Sequence, residues 1–233
     1  QVLAISIAER VARNRVGEYR RLITSLEDAG RLDRSLEFLP GDETLAERAA
    51  QGQGLSRPEL SILISYSKAI LKEELIASDL GIDPHLARAT ATAFPASLVA
   101  RYPDELQEHR LQRELMCTQV ANAIVNHMGL NFVLRQQKAT GAPVADVARA
   151  YTAVMAIFRL NELWDNIEAQ DYQIDSDIQL EMMIDVIRLV KRANRWLLRN
   201  SRHQLEPTAT IGEFEDGVAR LHDELPGLLR GRA

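Results

Sequence analysis

The feature that most constrains this chain is an apolar periodicity of three to four residues that recurs from one end to the other. In the stretch LSRPELSILISYSKAILKEEL at 55–75, Leu60, Leu63, Ile64, Ile70, Leu71 and Leu75 return at helical spacing, and the small Ser67 fills the gap in the stripe. Ser56 and Glu59 stand at capping-box spacing, and Pro58 falls in the first turn, where its missing N–H costs little. The spacing predicts a helix over 57–78. Strands would need short β-branched or aromatic runs closed by Gly or Asn turns; none stands out, and aromatic residues are only 5% of the chain. The expected fold class is all-α, a multi-helix array of roughly eight to ten helices.

The remaining helices follow from caps and stops. A long one is expected from Pro103, with Asp104 and Glu105 complementing the helix dipole in its first turn, to Gly129. Leu115, Met116, Val120, Ala121, Ala123, Ile124 and Val125 leave its second half apolar nearly all round, so a buried central helix is expected near 103–128. Gly141 closes a helix over 130–140, and Pro143 opens another to Phe158 across a short TGAP turn that favours antiparallel packing. Asp175 and Ser176 open the last long helix, with Ser176 and Gln179 in capping-box register, and it reaches Asn200. Further helices are expected over 2–13, 16–29, 42–50, 84–94, 96–101 and, more weakly, 210–224. Residues 1–54 read as N-terminal helices leading out of a preceding domain, 55–203 as a helical core, and 204–233 as a connector and terminal helix. Together they read as one helical region of a larger protein, since QVLAISIAERVARNR has no initiating Met and already reads as the middle of a helix.

Composition sets limits on function. A formal net charge of −5 argues against binding a phosphate backbone, so no nucleic acid partner is expected. No run of about 18 apolar residues occurs, so no membrane partner is expected either. The single cysteine, Cys117, can form no internal disulfide, which fits a reducing cytoplasmic location.

Two constellations are candidate sites. Arg188, Arg192, Arg195, Arg199 and Arg202 share one helix face with Lys191 beside them. They form either an anion or acidic-partner surface or a solvated face whose cations suit a helix C-terminus, balanced by Asp175, Asp177, Glu181 and Asp185 near its start. On the central helix, Glu114, Thr118, Asn122 and Asn126 recur every fourth residue among apolar neighbours, as a buried polar network fixing helix register or as a small polar pocket. No catalytic residue is assigned. His85, His109, His127, His203 and His222 are scattered without metal-ligand spacing, so no metal is expected. Cys117 reads as a small buried apolar residue, and Trp164 and Trp196 as anchors of helix packing. No GxGxxG or GxxxxGK[ST] follows a strand, so no dinucleotide cofactor is expected in this segment.

Six stretches, in this order and spacing, resemble one family. They are RLDRSLEFLP at 31–40, LSRPELSILISYSK at 55–68, SDLGIDPHL at 78–86, HRLQRELMCTQVANAIVNHMG at 109–129, TGAPVADVARAY at 140–151 and RWLLRN at 195–200. The family is the large bacterial NAD-specific glutamate dehydrogenases, and the resemblance is to their C-terminal helical region. It implies a cytoplasmic homo-oligomer that oxidatively deaminates L-glutamate to 2-oxoglutarate and ammonium, with NAD bound by domains preceding this one. None of the family's catalytic positions maps onto this chain. The resemblance implies a structural, oligomeric or regulatory segment whose partners are the remaining domains of the same polypeptide. The alternatives are an independent helical module that binds an acidic partner through the arginine stripe, and a small-metabolite sensor built around Thr118 and Asn122.

Overall fold

A computed structural model describes residues 2–13, 16–201 and 204–230. Arg202 and His203 lie outside the described residues. Thirteen helices and no strand occur among those described. They are α1 (Val2–Arg13), α2 (Val16–Asp28), α3 (Asp42–Ala50), α4 (Arg57–Ala77), α5 (Pro84–Ala91), α6 (Ala96–Arg101) and α7 (Pro103–Gln107). Then follow α8 (Gln112–Met128), α9 (Phe132–Thr140), α10 (Val144–Ile157), α11 (Leu160–Glu168), α12 (Ser176–Asn200) and α13 (Pro207–Arg230).

The local signals that predict α4 are present in space. The Ser56 N–H donates to the Glu59 carboxylate at 2.6 Å, and Arg48 grips the same carboxylate at 2.8 Å, so the cap also ties α3 to α4. At the start of α12 the expected register is replaced. Asp175 is the N-cap, its side chain accepting the Asp177 N–H at 2.8 Å. Gln179 instead turns inward and donates to the Ile167 carbonyl at 2.8 Å, satisfying the open end of α11.

The helix expected over 103–128 is divided at 108–111 into α7 and α8. His109 Nδ1 accepts the Leu111 N–H at 3.1 Å across this break. One face of α8 is buried through Met116, Cys117, Val120, Ala121, Ile124, Val125 and Met128 and packs on α4 and α5. The most enclosed element is α10, surrounded by α4, α5, α8, α9, α11, α12 and α13. Ala145, Ala148, Ala150 and Ala153 have no solvent exposure at all. Their small side chains let neighbouring helices approach closely, and Val147, Val154 and Ile157 fill the space between them.

Buried side chains form two clusters. One joins Ala8, Val16, Tyr19, Ile23, Leu26, Leu32, Leu39 and Leu45 to Leu60 and Leu63 of α4. The larger one takes in Ile7 of α1 with Leu71 and Leu75 of α4 and runs through α8, α10, α11 and α12 to Ile211 of α13. The two clusters therefore meet along α4, between Leu63 and Leu71.

The open carbonyls at the end of α4 and the loop after it are held by two arginines. The Arg113 guanidinium donates to the carbonyls of Ile76 at 3.0 Å and Ser78 at 2.5 Å. Arg149, only 3% exposed, donates to the Asp79 carbonyl and pairs with Asp146 at 2.8 Å. Asp83 caps α5 by accepting the His85 N–H at 2.7 Å, and its other oxygen accepts the Thr208 hydroxyl at 2.8 Å. The SDLGIDPHL stretch is thus the joint at which α4, α5, α8, α10 and α13 are fastened together.

Candidate functional site

Along the C-terminal half of α12 runs an open groove of about 690 Å³ whose lining is almost wholly cationic. Arg188, Lys191, Arg192, Arg195 and Arg199 come from α12, and Arg135 joins them from α9. Four members of the predicted stripe are therefore brought together; the fifth, Arg202, is outside the described residues.

The charges are not equally satisfied. Arg188 pairs with Asp185 at 2.6 Å, and Arg135 with Glu18 of α2 at 2.9 Å. Among the described residues no carboxylate lies within ion-pair distance of Arg192, Arg195 or Arg199. The Arg195 Nε donates to Gln136 Oε1 at 3.3 Å, and the Arg199 guanidinium to the Ala139 carbonyl at 3.2 Å. Gln136 is itself buried and donates to the Lys191 carbonyl at 3.0 Å, so it fixes α9 to α12 and aims Arg195. Three guanidinium groups with neutral partners or none, within two turns of one helix, make a local field opposite in sign to the chain's net charge of −5.

Beside the cations Trp196 is 53% exposed, with its indole edge-on to Phe214 of α13 at 5.8 Å between ring centroids. It packs between helices as its size suggests, but only on one side. Arg192 and Trp196 also border an apolar pocket of about 380 Å³ between α10, α12 and α13, lined by Val154, Phe158, Leu189, Phe214 and Val218.

The polar series on α8 is arranged differently. Glu114 is exposed, and the Thr118 hydroxyl donates to its carbonyl at 2.6 Å within the same helix. Asn122 is half-buried, and the enclosed Asn126 Oδ1 has no protein partner among the described residues. Among the described residues no hydrogen bond joins any two of the four side chains to each other.

One buried polar pair had no distinguishing sequence signal. His127 Nδ1 lies 2.8 Å from the Tyr151 hydroxyl, and its ring packs against Trp164 with centroids 4.5 Å apart. Burial drives the imidazole pKa down to about 4, against a smaller opposing pull from Asp165. Burial also pushes the Tyr151 phenol well above its ordinary value. Both groups are neutral at pH 7, and with Tyr151 as donor the imidazole proton sits on Nε2. An isolated His inside an apolar run shows nothing of this, because its partner is on another helix. Cys117 is wholly buried, and burial raises its thiol pKa. No group of three or more His, Cys, Asp or Glu positioned to hold a metal occurs among the described residues, and no helix there is long and apolar enough to cross a membrane.

Comparison with known proteins gives these helices a setting. The family described as "Glutamate dehydrogenase, C-terminal" matches residues 52–233. The chain is 48% identical over 231 residues to an NAD-specific glutamate dehydrogenase of Pseudomonas aeruginosa, covering 99% of this chain and 14% of that protein. It is 47% identical over 231 residues to the enzyme of the same name from Halomonas elongata, again 99% of this chain and 14% of the relative. For that of Mycobacterium tuberculosis the identity is 34% over 200 residues, covering 86% of this chain and 12% of the relative. The chain therefore spans about one seventh of the length of the relatives it matches. With a match over most of its length and the helical architecture described above, this chain belongs to the glutamate dehydrogenase C-terminal family.

Proposed function

We propose that this chain is the non-catalytic C-terminal helical part of an NAD-specific glutamate dehydrogenase, a cytoplasmic homo-oligomer whose whole polypeptide oxidatively deaminates L-glutamate to 2-oxoglutarate and ammonium. The observation that carries the reading is near-half identity over 99% of the chain to relatives of which it spans only 14%. The residues present do not fit a dinucleotide: among the described residues there is no strand, hence no strand–glycine turn–helix unit to cradle a pyrophosphate. NAD then belongs to the remaining domains, which are also the first partners of these helices. The use of buried polar groups supports a structural role. Arg113, Gln136, Arg149, Gln179 and Asn194 all donate to main-chain carbonyls of neighbouring elements, which holds helices in place. Assays of the full-length protein and the 233-residue chain for glutamate-dependent NAD reduction test both halves of the proposal. Activity in the full-length protein and none in the chain is expected. Turnover by the chain alone, or a full-length protein inert toward glutamate, would overturn it.

A second reading, an interaction surface for an acidic partner, is favoured by the three arginines that have no carboxylate partner among the described residues. Charge reversal at Arg192 and Arg195 should abolish capture of such a partner, and unchanged capture would remove the reading.

A further inference from the structure

The exposed surface of α12 is organised as a seam. Ile178, Met182, Leu189 and Trp196 are large apolar residues with 56%, 40%, 38% and 53% of their surface exposed. At about 100° per residue, steps of four and seven keep them on a single stripe. This stripe covers about 27 Å of helix at 1.5 Å per residue. Along one flank of the stripe the charge changes sign. Asp177, Glu181 and Asp185 occupy the N-terminal half, and Arg192, Arg195 and Arg199 the C-terminal half. The acidic half is open to a partner: Arg10 reaches Glu181 at 3.0 Å and Asp177 at 3.5 Å, yet those side chains remain 68% and 87% exposed.

We propose that this face of α12 pairs with the same face of a second copy of the chain, the two helices antiparallel about a two-fold axis at Leu189. The argument is self-complementarity. Met182 and Trp196 stand seven residues either side of Leu189, so the axis sets Met182 of each copy against Trp196 of the other and Leu189 against its counterpart. A two-fold axis perpendicular to both helices returns each flank to its own side. The acidic half of the flank therefore meets the basic half of the same flank on the other copy. Asp185 and Glu181 come opposite Arg192, Arg195 and Arg199, which supplies carboxylates those arginines lack among the described residues. A parallel pair, related by an axis along the helices, would put this flank on opposite sides of the seam in the two copies, so its acidic and basic halves would not meet. Apolar seam residues flanked by complementary charge are the arrangement that selects partner and orientation in paired helices. The pocket of about 380 Å³ beside Leu189 and Trp196 opens on the other flank, where it is placed to receive Met182 of the second copy.

This inference rests on the interaction reading of the arginine surface and is independent of the dehydrogenase assignment. Its test is a charge-reversal cycle in the 233-residue chain, read by sedimentation velocity, with far-UV circular dichroism confirming that each variant is folded. The wild-type chain should sediment as a dimer of 26.2 kDa protomers, with a dissociation constant that rises with salt. Glu181→Arg with Asp185→Arg makes the flank predominantly basic, leaving Asp177 as its one carboxylate, and Arg192→Glu with Arg195→Glu makes it predominantly acidic, leaving Arg188 and Arg199 as its cations. Each variant should be monomeric alone, the dissociation constant rising at least about 100-fold. Mixing the two should restore a heterodimer, because each then meets its opposite. A wild-type chain that stays monomeric at about 100 µM, a homodimer that survives either reversal, or variants that fail to pair when mixed would each overturn the proposal. Adding poly-L-glutamate to a monomeric wild-type chain separates the two failures. Binding abolished by Arg192→Glu with Arg195→Glu would refute self-pairing while keeping an acidic partner; absence of binding would sink both.

Discussion

The buried His127 makes a specific prediction about acid stability. In the unfolded chain its imidazole titrates near 6.5, whereas in the folded protein burial against Trp164 and Tyr151 lowers the pKa to about 4. Above pH 6.5 both states are neutral at this site, and the histidine contributes no pH dependence. As pH falls below 6.5 the unfolded state takes up a proton that the folded state refuses, so stability is lost until the folded pKa is passed near 4. At about 1.36 kcal/mol per pH unit this interval is worth about 3 kcal/mol. For a chain of this size that corresponds to a Tm difference of roughly 6–12 °C. Carboxylates titrate over the same range, so the quantity to measure is a difference. Urea denaturation of the wild type and His127→Gln should be followed from pH 7 to pH 4, since Gln keeps an acceptor for the Tyr151 hydroxyl but cannot be charged. The variant is expected to be less stable at pH 7, through imperfect packing against Trp164, and to lose less stability as pH falls, with the two curves converging by about 3 kcal/mol. Parallel curves would refute a histidine held neutral by burial.

Other perturbations follow from the joint around residues 78–83. Arg149→Met leaves the Asp146 carboxylate and the Asp79 carbonyl without their main donor and should cost about 3–5 kcal/mol in urea unfolding. Asp83→Ala removes the cap of α5 and the anchor of Thr208. It should cost about 1–2 kcal/mol and raise amide exchange in α13 more than in α12, as hydrogen-exchange mass spectrometry would register. Gly141→Ala places a side chain at φ +75°, open in space but strained in backbone, and should lower stability by about 1 kcal/mol in the same urea assay. Cys117 should react with a disulfide reagent at least about 100-fold more slowly in the native chain than in denaturant, because its thiol is both enclosed and raised in pKa.

What could be read from sequence was whatever is decided within one or two helical turns. The start of α4 is an example, since Ser56, Pro58 and Glu59 act on the same first turn that they announce. The break at 108–111 has no Gly or Pro to mark it, and α10 ends on Arg159, a non-glycine residue at φ +49°. With the usual glycine stop missing, α11 was not expected, although Leu160, Trp164 and Ile167 carry helical spacing and are buried. The rank of α10 was missed for a different reason. How many helices surround an element is decided by tertiary packing: the five alanines of α10 permit close helix approach, and the Asp146 partner lets the charged Arg149 be buried.

The candidate site divides along the same line. That the arginines share a face follows from spacing alone, because a helix imposes it. Which of them is neutralised does not, since Glu18 reaches Arg135 from 117 residues away in the chain and Gln136 meets Arg195 across 59. Spacing likewise put Glu114, Thr118, Asn122 and Asn126 on one side of α8, yet packing on α4 and α5 leaves the first of them exposed and the others half-buried. Trp196 shows why the difference matters for function. Its size predicts burial, and inside a single chain it is half-exposed beside Arg192. An indole left in water next to guanidinium groups that have no carboxylate partner among the described residues forgoes both apolar burial and charge pairing, each of which a neighbouring surface would restore. In the proposed pairing that surface is acidic where the chain is basic, and the N-terminal half of the same helix meets that requirement.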